Sequence, residues 1–130
     1  MKESGVSEPR ISRFELQLLE KLWELGPCSV REVQESLPEK DRPAYTTVQT
    51  MIYRLEEKGA VRRVKKIGNA HLFEASLSRQ AVHHRLIGDL LNLFGGSAAP
   101  VMSHLVETGK LTLSDVKELE KTIAAREKKP

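Results

Sequence analysis

Between Tyr45 and Leu55 the chain carries Thr46, Thr47, Gln49, Thr50, Tyr53 and Arg54, with no Asp or Glu among them. Hydroxyl, amide, phenol and guanidinium groups are the partners that base edges and phosphate oxygens accept, and a carboxylate in their midst would repel a polyanion. Val48, Ile52 and Leu55 fall among these residues at helical spacing, with Met51 beside them. The spacing predicts a helix over about Tyr45 to Lys58 with one apolar and one hydrogen-bonding face. Thr46 and Thr47 lie at its N-terminal end, where unpaired backbone N–H groups favour phosphate. Gln49 has the paired donor and acceptor that read adenine, and the Thr50 methyl suits a thymine methyl. Arg54 reaches phosphate or guanine, or else closes an internal ion pair. Tyr45 and Tyr53 either touch the same ligand or are partly buried.

A second set of charged residues follows: Arg62, Arg63, Lys65 and Lys66. Residues 42–74 hold seven basic and three acidic side chains, net +4, whereas residues 1–41 hold six and nine. The whole chain is only +3, so its positive charge is concentrated in one stretch, as at a phosphate-docking surface. In a regular strand Arg62 would share a face with Lys66, and Arg63 with Lys65. Across the turn at Gly68-Asn69, His71 is a phosphate contact or an ordinary strand residue.

Other chemistries find no constellation. His83 and His84 are neighbours, which on a helix point about 100° apart and cannot chelate together. Neither has a ligating residue three or four positions away, so no metal site is expected. Cys28, the one cysteine, excludes an internal disulfide and a thiolate zinc cage; a turn thiol near a helix start, it is expected half-buried rather than redox-active. Ser97 lacks the final glycine of a nucleophile elbow, and no glycine-rich phosphate loop with lysine occurs. No enzyme activity and no cofactor are expected.

The elements that must position these residues follow from patterning. Ser12 and Glu15 have capping-box spacing, and Phe14, Leu18, Leu22 and Leu25 give a helix over Ser12 to Leu25 its apolar face, stopped by Gly26-Pro27. Ser29 and Glu32 repeat the box ahead of Val30, Val33 and Leu37. After the Tyr45–Lys58 helix, Gly59 suits a left-handed cap. Val61 to Ile67 and His71 to Ala75 then read as a β-hairpin. Three short helices and a basic hairpin make a mainly α fold with a small β wing, the order of a winged helix-turn-helix. Later helical segments carry apolar stripes: Val82, Leu86, Leu90 and Leu93 with Phe94; Val101 and Leu105; Val116, Leu119 and Ile123. They are expected to bury against a second copy, or else against their own head. The expected division is a flexible N-terminus over 1–9, a DNA-binding head over 10–76, a helical dimerisation region over 77–126 and a tail over 127–130. The 130 residues are 39% apolar and 30% charged, with no long apolar run, so neither a membrane span nor a signal peptide is expected, and a cytoplasmic location is.

The stretch Ala44-Tyr45-Thr46-Thr47-Val48-Gln49-Thr50, continued by Arg54-Leu55 and Lys58-Gly59-Ala60, resembles the recognition-helix signature of the penicillinase repressor family. Leu22-Trp23 before Gly26-Pro27, Leu93-Phe94-Gly95-Gly96-Ser97 and Leu111-Thr112-Leu113 are similar to other landmarks of that family. The resemblance spans about residues 10 to 125. It implies a homodimeric repressor whose winged heads bind a pseudo-palindromic operator in double-stranded DNA. It also implies release through a membrane-bound sensor protease that leads to cleavage in the dimerisation region, at a position corresponding to Ser103-His104. The family's Asn–Phe cleavage pair is absent there, and so are the paired Cys-x-Cys motifs of its copper-responsive branch. Two competing readings are a winged-helix regulator that senses a small ligand or metal directly, and a winged-helix module that binds protein. The acid-free helix face and the basic wing favour DNA over a protein partner.

Overall fold

The computed structural model describes residues 10–128; the flexible segment expected over 1–9, and positions 129–130 of the expected tail, lie outside them. Helix α1, Arg13–Leu25, opens on a reciprocal cap in which Ser12 Oγ accepts from the Glu15 N–H (3.2 Å) and the Glu15 carboxylate accepts from the Ser12 N–H (2.8 Å). Helix α2, Val30–Ser36, repeats the device with Ser29 and Glu32. Two helix-start N–H groups are thereby satisfied in each case. Helix α3 spans Tyr45–Glu57. Gly59 follows at φ 81, a left-handed conformation open to glycine at little cost, and turns the chain into strand β1.

Strands β1, Val61–Ile67, and β2, Ala70–Ala75, pair antiparallel around Gly68-Asn69. The register shifts between Arg63 and Lys65, leaving Val64 as an extra residue. This corrects the alternation expected from sequence. A bulge offsets every later side chain by one place, so Arg63 and Lys66 share the face of their partners Phe73 and His71, while Arg62 and Lys65 lie opposite, across from Glu74 and Leu72. Cys28 adds a single-residue bridge on the other edge of β2: its N–H donates to the Phe73 carbonyl (3.0 Å), and its own carbonyl accepts from the Phe73 N–H (2.8 Å).

The core gathers Leu18, Leu19 and Leu22 of α1, Val30 and Val33 of α2, Val48, Ile52 and Leu55 of α3, and Val61 and Phe73 of the hairpin. Two expectations change here. Leu19 replaces Leu25 on the buried face of α1; Leu25 sits on the last turn, where Gly26-Pro27 leads the chain away, and is 47% exposed. Cys28 is buried rather than half-buried, and burial together with the Glu32 carboxylate pushes its thiol up to about 11, so it stays protonated and unreactive.

Glu15 is the one buried charged residue described, 2% exposed. Lys58, just past the end of α3, places Nζ 2.7 Å from both of its carboxylate oxygens. Burial alone would raise the Glu15 pKa, but hydrogen bonds from Lys58 and Ser12 outweigh it and hold the carboxyl below its usual range.

The chain divides into two compact units, the first ending at Leu86 and the second beginning at Ile87. Helix α4, Arg79–Leu93, crosses that division. Its first turns belong to the head: Val82 is 1% exposed in the core and Leu86 packs against it. Trp23 Nε1 donates to the Leu77 carbonyl (2.9 Å) and the Arg79 guanidinium lies over the Trp23 ring, fastening the entry to α4 onto α1. The second unit adds helices α5, Ala99–Glu107, and α6, Leu113–Glu127. None of its described residues is buried. No helix described is long and apolar enough to cross a membrane.

Candidate nucleic-acid interface

Helix α3 is seated in the core by its apolar side. Val48, Ile52 and Leu55 are buried, while Thr46, Thr47, Thr50 and Arg54 are exposed and Gln49 is half-exposed. Ala44 caps the helix without any side-chain hydrogen bond. The carbonyl of Ala44 accepts from the N–H groups of Thr47 and Val48, so those of Tyr45 and Thr46 point out of the helix end without an intrahelical partner. Thr46, Thr47, Thr50, Met51 and Arg54 together outline a shallow hollow of about 260 Å³. Arg54 touches the Met51 sulfur at 4.0 Å and forms no ion pair with any described carboxylate, which sets aside the internal bridge that sequence had left open.

The two tyrosines are committed to neighbours yet stay partly exposed. Arg31, on α2, lies over the Tyr45 ring at 5.4 Å. The Tyr53 hydroxyl accepts from Gln49 Nε2 at 3.3 Å, and its ring leans on Phe73 with centroids 6.2 Å apart. These residues wall a groove of about 410 Å³ between α2, α3 and the wing, completed by Asn69 and His71 from the hairpin. Arg31 escaped the sequence reading, although its place on the outer side of a two-turn helix whose other side is Val30 and Val33 was a usable signal.

The wing cations divide into two kinds. Arg62 Nε donates to Glu74 at 2.7 Å, and Arg63 Nε donates to Glu56 at 2.8 Å. Lys65 and Lys66 are exposed and have no partner among the described residues. Arg63 also stacks, 5.1 Å from the Tyr53 ring centroid and 5.3 Å from that of Phe73. The face assembled by α3, Arg31 and the hairpin tip is thus cationic and hydroxyl-rich; Glu56 and Glu74 are engaged by arginines, and Glu57 is exposed at the C-terminal end of α3. Among the described residues no cluster of three or more metal-binding side chains occurs.

The residues assigned to self-association divide differently. Val82 is buried in the head, and Leu86, partly buried, packs against its core. Leu90, Leu93, Phe94, Val116, Leu119 and Ile123 are exposed, and Val101 and Leu105 half-exposed, within the second unit. Ser103 and His104 are exposed on α5.

A three-helix head carrying a two-strand wing is a winged-helix fold. The sequence profile of the penicillinase repressor family matches residues 11–125, and the chain belongs to that family, one of DNA-binding transcriptional repressors and not of enzymes. The chain is 25% identical over 112 residues to the penicillinase repressor of Bacillus licheniformis, covering 85% of this chain and 87% of that one. It also aligns with the crystal structure of a probable transcriptional regulator from Pseudomonas aeruginosa at 18% identity and a TM-score of 0.46, over 92% of this chain and 80% of the other.

Proposed function

We propose that the protein is a homodimeric repressor that binds a pseudo-palindromic operator, each head laying α3 in the major groove and the wing along the neighbouring phosphates. The observation that carries this reading is the outer face of α3, where Thr46, Thr47 and Thr50 stand exposed and Arg54, exposed beside them, makes no ion pair with a described carboxylate. Thr47, Gln49 and Thr50 read bases. Tyr45, Thr46, Tyr53, Arg54, Lys65, Lys66 and His71 contact the backbone. Arg62 and Arg63 reach a phosphate only by leaving the carboxylates of Glu74 and Glu56.

Self-association is supported by the second unit. It exposes Leu93, Leu113, Ile123 and Val106 to more than half their area and has no buried residue among those described, so it lacks a core of its own. An apolar surface of that extent is covered in a stable protein, and two linked heads match the symmetry of a palindrome. Release follows from cutting α5 near Ser103-His104 by a protease coupled to a membrane sensor, since a break there splits the associating surface. The cytoplasm is the compartment in which such a protein meets its operator.

The test uses duplexes that the wild-type chain selects from a randomised library. Thr50→Ala lowers discrimination between selected and scrambled duplex by about 1–3 kcal/mol. Lys65→Ala weakens binding to both and reduces the slope of log K against log salt by about one. Unchanged binding by both variants would remove the assigned surface.

A further inference from the structure

Arg63 looks by sequence like one of four equivalent wing cations, but its surroundings set it apart. Its Nε donates to Glu56, on the last turn of α3, at 2.8 Å. Its guanidinium plane lies against both Tyr53 of α3 and Phe73 of β2. Phe73 is buried and bonded through its backbone to Cys28, which makes it a fixed point. Tyr53 in turn receives Gln49 Nε2, one of the proposed base-reading residues. The regular register ahead of the bulge puts Arg63 on the same face of the hairpin as buried Val61, across from Phe73. A planar, delocalised cation resting over two adjoining rings, with a carboxylate on its edge, is tied to three groups at once, which a lysine cannot reproduce.

From this arrangement we propose that Arg63 and Glu56 form a clamp that fixes the angle of the wing against α3, so that Arg63 is a positioning residue for operator binding and not a phosphate contact. Glu56 is part of the same device: an acid next to the DNA-binding face, it orients the cation that orients the wing. The inference rests on the DNA-binding reading above and deepens it.

The sign of one substitution separates the clamp from its rival. Glu56→Gln removes a negative charge beside a polyanion, so electrostatics alone makes it bind DNA more tightly. If Glu56 holds the wing through Arg63, the same change weakens binding. The experiment titrates the full-length wild type, Glu56→Gln, Arg63→Gln, the double variant and Lys65→Gln against the library-selected duplex at two salt concentrations, with thermal melts to fix the folded fraction of each. We expect Glu56→Gln and Arg63→Gln each to weaken binding about three- to tenfold, and the double variant to be no weaker than the worse single one, as for groups acting through one contact. Lys65→Gln supplies the comparison for a direct phosphate contact, with its reduced salt slope. Tighter or unchanged binding by Glu56→Gln overturns the clamp, as does an Arg63→Gln variant that binds like the wild type or a double variant whose losses add. A wild-type chain that selects no duplex defeats the DNA-binding reading itself, a failure plainly distinct from these.

Discussion

Glu15 shows how one residue ties local structure to tertiary structure. Its spacing from Ser12 announced a helix cap, and the cap is present. The same carboxylate is also buried and engaged by Lys58, 43 positions away, which no local pattern could reveal because the partner lies at the far end of another helix. Replacing Lys58 with Met leaves a buried carboxylate short of its donor and costs about 1–3 kcal/mol, measurable as a fall in the denaturant midpoint. The pH dependence follows from the direction of the shift. The Glu15 pKa is lower in the folded chain than its usual 4.5, so its stabilisation is complete above that value and is lost as pH falls through the folded pKa. Glu15→Gln therefore flattens the loss of stability on acidification below about pH 5; an unaltered acid limb would show that the pair contributes nothing. Cys28, with its thiol pushed up to about 11, is expected to resist alkylation at pH 8 until the chain unfolds.

Among the elements, those with a strong period or an unambiguous punctuation residue were legible. The capping boxes, the apolar face of α3 and the turns at Gly59 and Gly68-Asn69 all stand where patterning placed them. The bulge at Val64 was not legible, since the run Val61 to Ile67, apolar at every third place, does not say which residue is the extra one, and the Cys28–Phe73 bridge is a pairing of single residues far apart in sequence. The division of the wing cations was hidden for the same reason: Glu56 and Glu74 neutralise them from other elements. Phe73 joins β2 to Cys28, Tyr53 and Arg63, so Phe73→Ala is expected to destabilise the head by about 3–5 kcal/mol. It should also release the wing, seen as faster amide exchange across β1 and β2; exchange confined to α1 and α2 would contradict that placement.

At the scale of the whole molecule the decisive contrast is between a head with a closed core and a second unit without one. Sequence marked the apolar stripes and put the end of the head at residue 76; Val82 and Leu86 continue the pattern that Leu90 and Leu93 carry onward, and it is packing that ties the first two to the head's core. A chain ending after Leu86 keeps the head's core intact and is expected to sediment as a monomer while the full chain sediments as a dimer; a truncated head that stays dimeric would move the association surface out of α4–α6. The most direct test of the central claim takes the full chain and measures, at one salt concentration, how Thr47→Ala changes the ratio of affinities for the selected and scrambled duplexes. The account predicts that the ratio falls by about 1–3 kcal/mol for each half-site while scrambled binding holds. An unchanged ratio would mean that α3 does not lie in the groove.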